Sequence, residues 1–122
     1  MAGTVTLTEE VFGTVKKLTF AWVSDAAGAA DKASTEVYSG EILRVVQIPD
    51  GGGTQPTDLY DVVVEDDDGA DVLLGLGTNL GNAANTDKVA KDGLGTVANA
   101  VLTCKVTNAG NAKGGKTILY IR

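Results

Sequence analysis

Residues 40–48 read Gly-Glu-Ile-Leu-Arg-Val-Val-Gln-Ile. No other stretch of the chain declares its backbone so plainly. Its β-branched residues are stiff at χ1 and favour extended backbone. By simple alternation, Ile42, Val46 and Ile48 fall on one face with Arg44 among them, and Leu43 and Val45 on the other. Apolar groups on both faces mark a central strand, or one packed on a neighbouring subunit. The segment ends at Pro49-Asp50-Gly51, where proline fixes φ and glycine takes a conformation that other residues resist.

The same period of two runs outward in both directions. Towards the N-terminus, Val5 and Leu7 alternate with Thr4, Thr6 and Thr8, and Leu18, Phe20 and Trp22 alternate with Lys17, Thr19 and Ala21. Each reads as a strand. Between them and residue 40, the Ala-rich Ser24 to Ser34 has no periodic apolar stripe and reads as a surface loop. Towards the C-terminus, a loop at Gly51 to Thr57 precedes a strand at Leu59 to Glu65, with Tyr60, Val62 and Val64 inward. Asp66-Asp67-Asp68-Gly69 then predicts a hairpin turn, with Asp71 to Leu74 returning. Gly75 to Thr96 is mostly irregular, and Thr86 could cap a short helical turn through Asp87, Val89 and Lys91, stopped by Gly93. Val97 to Thr107 and Lys116 to Ile121 are the closing strands. Short strands broken by turns every eight to twelve residues or so predict an all-β fold. The expected architecture is a single domain over residues 1–122, a sandwich or barrel of about seven or eight antiparallel strands. Its expected core is Leu18, Phe20, Trp22, Ile42, Val46, Tyr60, Val62, Val64, Leu102 and Val106.

Composition removes several classes of function. The chain has 122 residues, a net charge of −6 and no histidine. Without histidine there is no Ser-His-Asp or Cys-His relay and no His-ligated catalytic zinc. Ten scattered basic residues do not make the clustered cationic surface that displaces counterions from nucleic acid, so no nucleic-acid partner is expected. Cys104 is the only cysteine, which excludes an internal disulfide and a multi-cysteine metal site. It alternates in phase with Leu102 and Val106 and reads as a buried small hydrophobe. The N-terminal residues lack the basic and apolar regions of a signal peptide. No run approaches the eighteen or so apolar residues of a membrane span, so a soluble protein made in a cytoplasm is expected. With six aromatic residues against 16 glycines, the core is thin, and association with copies of itself is expected.

Three motifs invite chemistry. Gly110-Asn-Ala-Lys-Gly-Gly-Lys-Thr117 matches the phosphate-binding pattern G-x-x-x-x-G-K-[ST]. That loop works only where a helix starts at its Lys-Thr and aims an N-terminal dipole at the anion. Here Ile-Leu-Tyr-Ile-Arg follows, five β-prone residues too few for a helix. The octet is expected to be the bend of a last hairpin, with Lys116 exposed and no nucleotide bound. The acidic turn offers Asp66, Asp68 and Asp71 as a calcium candidate. An EF-hand loop with Gly69 at position 6 would place Val64 at position 1 and Gly75 at position 12, so that pattern fails at two ligands. Gly75-Leu-Gly-Thr-Asn-Leu-Gly81 is a loose dinucleotide fingerprint without the βαβ unit that gives it meaning. No catalytic residue, cofactor or firm metal site emerges, and an enzyme is not expected.

Several segments together carry a resemblance. They are Leu18-Thr-Phe-Ala-Trp-Val-Ser-Asp, Tyr38-Ser-Gly-Glu-Ile, Ile48-Pro-Asp, Pro56-Thr-Asp-Leu-Tyr-Asp-Val-Val-Val-Glu-Asp and Asp68-Gly-Ala-Asp-Val-Leu. Over roughly residues 13–80 the chain resembles the small β-rich virion proteins of tailed bacteriophages, most of all capsid decoration (cement) proteins. The resemblance implies a non-enzymatic structural protein on the capsid exterior. It implies the major capsid protein and copies of itself, as a homotrimer, for partners. Other virion roles (a head fibre, a tail-tube or a connector protein) fit the same residues. A carbohydrate- or calcium-binding β module is the alternative from a different class.

Overall fold

The computed structural model describes residues 3–122. Those residues form nine strands: β1 (Thr4–Phe12), β2 (Val15–Val23), β3 (Ala30–Ala33), β4 (Tyr38–Pro49), β5 (Asp61–Glu65), β6 (Thr86–Val89), β7 (Thr96–Ala100), β8 (Thr103–Thr107) and β9 (Gly114–Ile121). Every pairing is antiparallel. The larger sheet runs β1-β2-β9-β4-β6, with β7 also on β4, and the smaller runs β3-β8-β5. The fold is all-β, with the core held between the two sheets.

The stretch at residues 40–48 is indeed central. One edge of β4 pairs with β9, while β7 and β6 share the other, over Tyr38–Glu41 and Arg44–Gln47 respectively. Its phase differs from simple alternation, because the register with β9 shifts between Ile42 and Arg44. A bulge of this kind adds one residue and exchanges the faces beyond it. Ile42 and Val45 therefore both enter the shared core, and Val46 is buried on the opposite face outside it.

Three strands escape the sequence pattern. The segment read as a loop from Ser24 to Ser34 contains β3, a four-residue strand on β8. Thr86 to Lys91, read as a helical turn, is β6 followed by a single 3₁₀ turn at Ala90–Asp92. Pairing with Arg44–Gln47 satisfies its backbone, which outweighs a local helical signal too short to hold alone. Val97 to Thr107 is two strands, β7 in the larger sheet and β8 in the smaller. The break between them carries the chain across the core at buried Leu102.

All ten expected core residues are buried. Leu18, Phe20 and Trp22 of β2 meet Val62 and Val64 of β5 and Cys104 and Val106 of β8 in one cluster. Trp22 stacks at a tilt on Tyr60, with ring centroids 5.6 Å apart. It also packs against Gly115 on β9, where an added Cβ would sit 2.6 Å from the indole Cζ2. Glycine is needed there because the ring takes the space of a side chain. The core also takes in Leu73, Leu80 and Leu94 from segments that carry no period. The outer edge of β5 is closed by one of these segments. Val62 N–H donates to Gly77 O at 2.8 Å, Leu80 N–H to Tyr60 O at 2.8 Å and Val72 N–H to Val64 O at 2.8 Å. A side chain at Gly77 would run into the Val62 carbonyl. Gly77, at the middle of the loose dinucleotide pattern, thus lets the chain lie close on its own sheet. The expected return of Asp71 to Leu74 is reduced to an isolated bridge between Glu65 and Asp71.

Candidate functional site

The octet Gly110 to Thr117 connects β8 of one sheet to β9 of the other, so it crosses between sheets and is not the bend of a hairpin. Ser24 clasps it: the hydroxyl donates to Gly110 O at 2.5 Å and accepts from Lys113 N–H at 2.9 Å, while Ser24 N–H donates to Lys113 O at 2.7 Å. Ala109 N–H is bonded to Gly28 O at 3.1 Å. The amides at Ala109 and Lys113 are therefore already engaged. Lys116 and Thr117 are successive residues of a strand and point to opposite faces. Lys116 is exposed; Thr117 is fully buried, its hydroxyl donating to Gln47 Oε1 at 2.6 Å. A phosphate loop needs both groups on one anion, and this geometry separates them.

The acidic turn uses its carboxylates on its own backbone. Asp66 Oδ1 accepts from Asp68 N–H at 2.9 Å and Ala70 N–H at 3.0 Å. Asp71 Oδ1 accepts from Val64 and Leu73, and Oδ2 from Gly75. These are the local turn bonds that make aspartate favourable in loops. Among the described residues no three His, Cys, Asp or Glu side chains converge on a metal-sized point, so Asp66, Asp68 and Asp71 are not brought together as ligands.

Cys104 is buried in the core, as its phase implied. Burial pushes its thiol up to about 12, assisted by the charge of Asp31 and opposed by a hydrogen bond with Thr117. A thiol so rarely ionised is a poor nucleophile.

The groups that stand out were not singled out by motif. Glu9, on β1, receives bonds from Thr35 N–H at 2.9 Å, Glu36 N–H at 3.2 Å, the Thr35 hydroxyl and the Tyr38 hydroxyl. Partial burial opposes its charge, but these four donors outweigh that and hold its carboxyl below the usual range. Burial and the neighbouring Glu9 push the Tyr38 phenol up. The one sequence signal was alternation: Glu9 shares the inward phase of Val5 and Leu7, and an inward carboxylate needs donors. The sign of the pH effect follows from the lowered carboxyl. Its contribution is complete above the ordinary glutamate pKa of about 4.3 and is lost as pH falls through the lower folded value. Glu9→Gln is expected to cost about 1 kcal/mol or less at pH 7, since much of the group meets water. In urea unfolding the gap to the native chain should narrow as the pH falls below the ordinary glutamate range; a gap independent of pH would contradict this account.

Apolar side chains are also held out in solvent. Leu59 and Leu74 are 56% and 65% exposed, with φ of 67° and 51°. A left-handed backbone is costly for a bulky residue, and here the side chain gains little burial in return. At one end of the sandwich, Val11, Phe12 and Val37 are exposed too.

Comparison with protein-family models, curated proteins and solved structures finds no match to this chain.

Proposed function

We propose that this chain is a structural virion protein that binds the outside of a bacteriophage capsid and stabilises contacts between major capsid subunits. The reading rests on the resemblance over residues 13–80. The observation that supports it best is the pair of leucines, Leu59 and Leu74, presented to solvent on left-handed backbone. Strain retained without internal gain is explained by an external contact. Many copies, each gripping weakly, would hold a shell by multivalency. Self-association into a trimer around a local three-fold axis is part of the same proposal.

The test is copy number and co-sedimentation. Quantitative mass spectrometry of purified particles should find hundreds of copies, whereas a connector would give few. The purified chain should be trimeric by light scattering and pellet with bare capsids of the phage that encodes it. Leu59→Ser with Leu74→Ser should weaken that binding about tenfold or more, on the scale of two lost apolar anchors. A monomer that ignores capsids and is missing from particles would overturn the proposal.

A further inference from the structure

The β1–β2 hairpin and the Glu36 to Ser39 segment enclose an open cleft of about 430 Å³ at one end of the sandwich. Val11 and Val37, 70% and 56% exposed, are its apolar lining, and Phe12 stands exposed at the hairpin end. Glu9, Glu10 and Glu36 line the cleft with one basic residue, Lys16, whose ammonium donates to the Ser39 carbonyl at 3.3 Å. Beside it, among the described residues β1 pairs with β2 alone, and its other edge carries no strand.

We infer that this cleft binds an extended segment of a partner protein in which an apolar side chain is flanked by Lys or Arg. The apolar residue seats between Val11 and Val37, and the flanking cations meet the exposed Glu36 and the acidic end of β1. The unpaired edge of β1 supplies main-chain hydrogen bonds to an extended segment. Glu9 has already fixed the Thr35 to Tyr38 wall through its four bonds, so little ordering remains to oppose binding. The same charges argue against a second copy as occupant. Edge-to-edge pairing would bring together two chains of net charge −6, and charged residues such as Glu9 and Glu10 on an edge strand are a common protection against self-pairing. The partner is defined by this chemistry whether or not it belongs to a capsid. Failure to bind capsids would leave the inference standing.

The experiment selects random dodecapeptides on the immobilised full chain and measures the enriched ones by amide NMR titration. Enriched peptides should carry Leu, Val, Ile or Phe between basic residues. They should shift the amides of residues 9–11 and 36–39, and weaken about tenfold between 50 mM and 500 mM salt. Glu36→Lys with Val37→Ser, both at exposed positions, should abolish binding without changing the melting temperature. Glu36→Gln alone should weaken binding severalfold, a second reading should the double variant fold poorly. No enrichment, enrichment of acidic peptides, or binding that survives both variants would overturn the inference. So would sedimentation showing that the double variant turns a dimer into a monomer, because the occupant would then be a second copy.

Discussion

Replacing Trp22 by alanine should cost about 3–5 kcal/mol, the range for deleting a large aromatic side chain from a packed core. The size of the effect follows from its position. Trp22 is 2% exposed on β2, leans on Tyr60 from the segment leading into β5, and covers the bare backbone of Gly115 on β9. It therefore touches both sheets and bridges two strands of one of them. Alanine would leave a void bordered by Gly115, which has no side chain with which to fill it. A domain of this size has a total stability of roughly 5–15 kcal/mol, so the variant should unfold well below the native midpoint. Urea unfolding followed by circular dichroism checks this, since the variant loses the only tryptophan. Trp22→Phe should recover much of the loss. A cost below about 1 kcal/mol would mean that the two sheets do not share the core in this way.

The same residue shows what was legible in the sequence. Leu18, Phe20 and Trp22 announced a buried face by alternation alone, as did Tyr60, Val62 and Val64, because a strand's period is fixed by its backbone. What alternation cannot register is an inserted residue. The shift between Ile42 and Arg44 turned Val45 inward and Val46 out, although both remained buried and apolar. Nor does it identify which sheet a strand joins. β7 and β8 are separated by two residues yet lie in different sheets, and a run of eleven residues at period two reads as one strand. β3, Ala-Asp-Lys-Ala, has little β-propensity and exists through its pairing with β8, seventy or so residues away in sequence. The candidate cleft was hidden for a related reason. Val11, Phe12 and Val37 lie outside every segment whose alternation could be read. Only the bonds from Glu9 to Thr35, Glu36 and Tyr38 bring them to one place. The phosphate motif illustrates the converse, a perfect local match with its two key residues on opposite faces of β9.

Thr117 supplies the second large effect, and its sign depends on its partner. Its hydroxyl donates to Gln47 Oε1 at 2.6 Å in the fully buried layer between Phe20 and β4. Among the described residues Gln47 Nε2 has no hydrogen-bond partner. Thr117→Val keeps the volume but removes the only donor to the amide oxygen, leaving both ends of a buried amide unpaired. Each such group costs about 1–3 kcal/mol, so the single variant should lose about 2 kcal/mol. Adding Gln47→Leu removes the stranded amide altogether. Replacing both partners of a buried polar pair by apolar groups of similar shape is close to neutral or stabilising. The double variant should therefore be at least as stable as the native chain, with a coupling energy of about 2 kcal/mol in the double-mutant cycle. Urea midpoints of the four proteins at one pH give that number directly. Additive losses, a coupling energy near zero, would show that Thr117 and Gln47 do not act as a pair. A double variant more stable than the native chain would show that this polar pair, set in the middle of an apolar layer, lowers the stability of the fold that contains it.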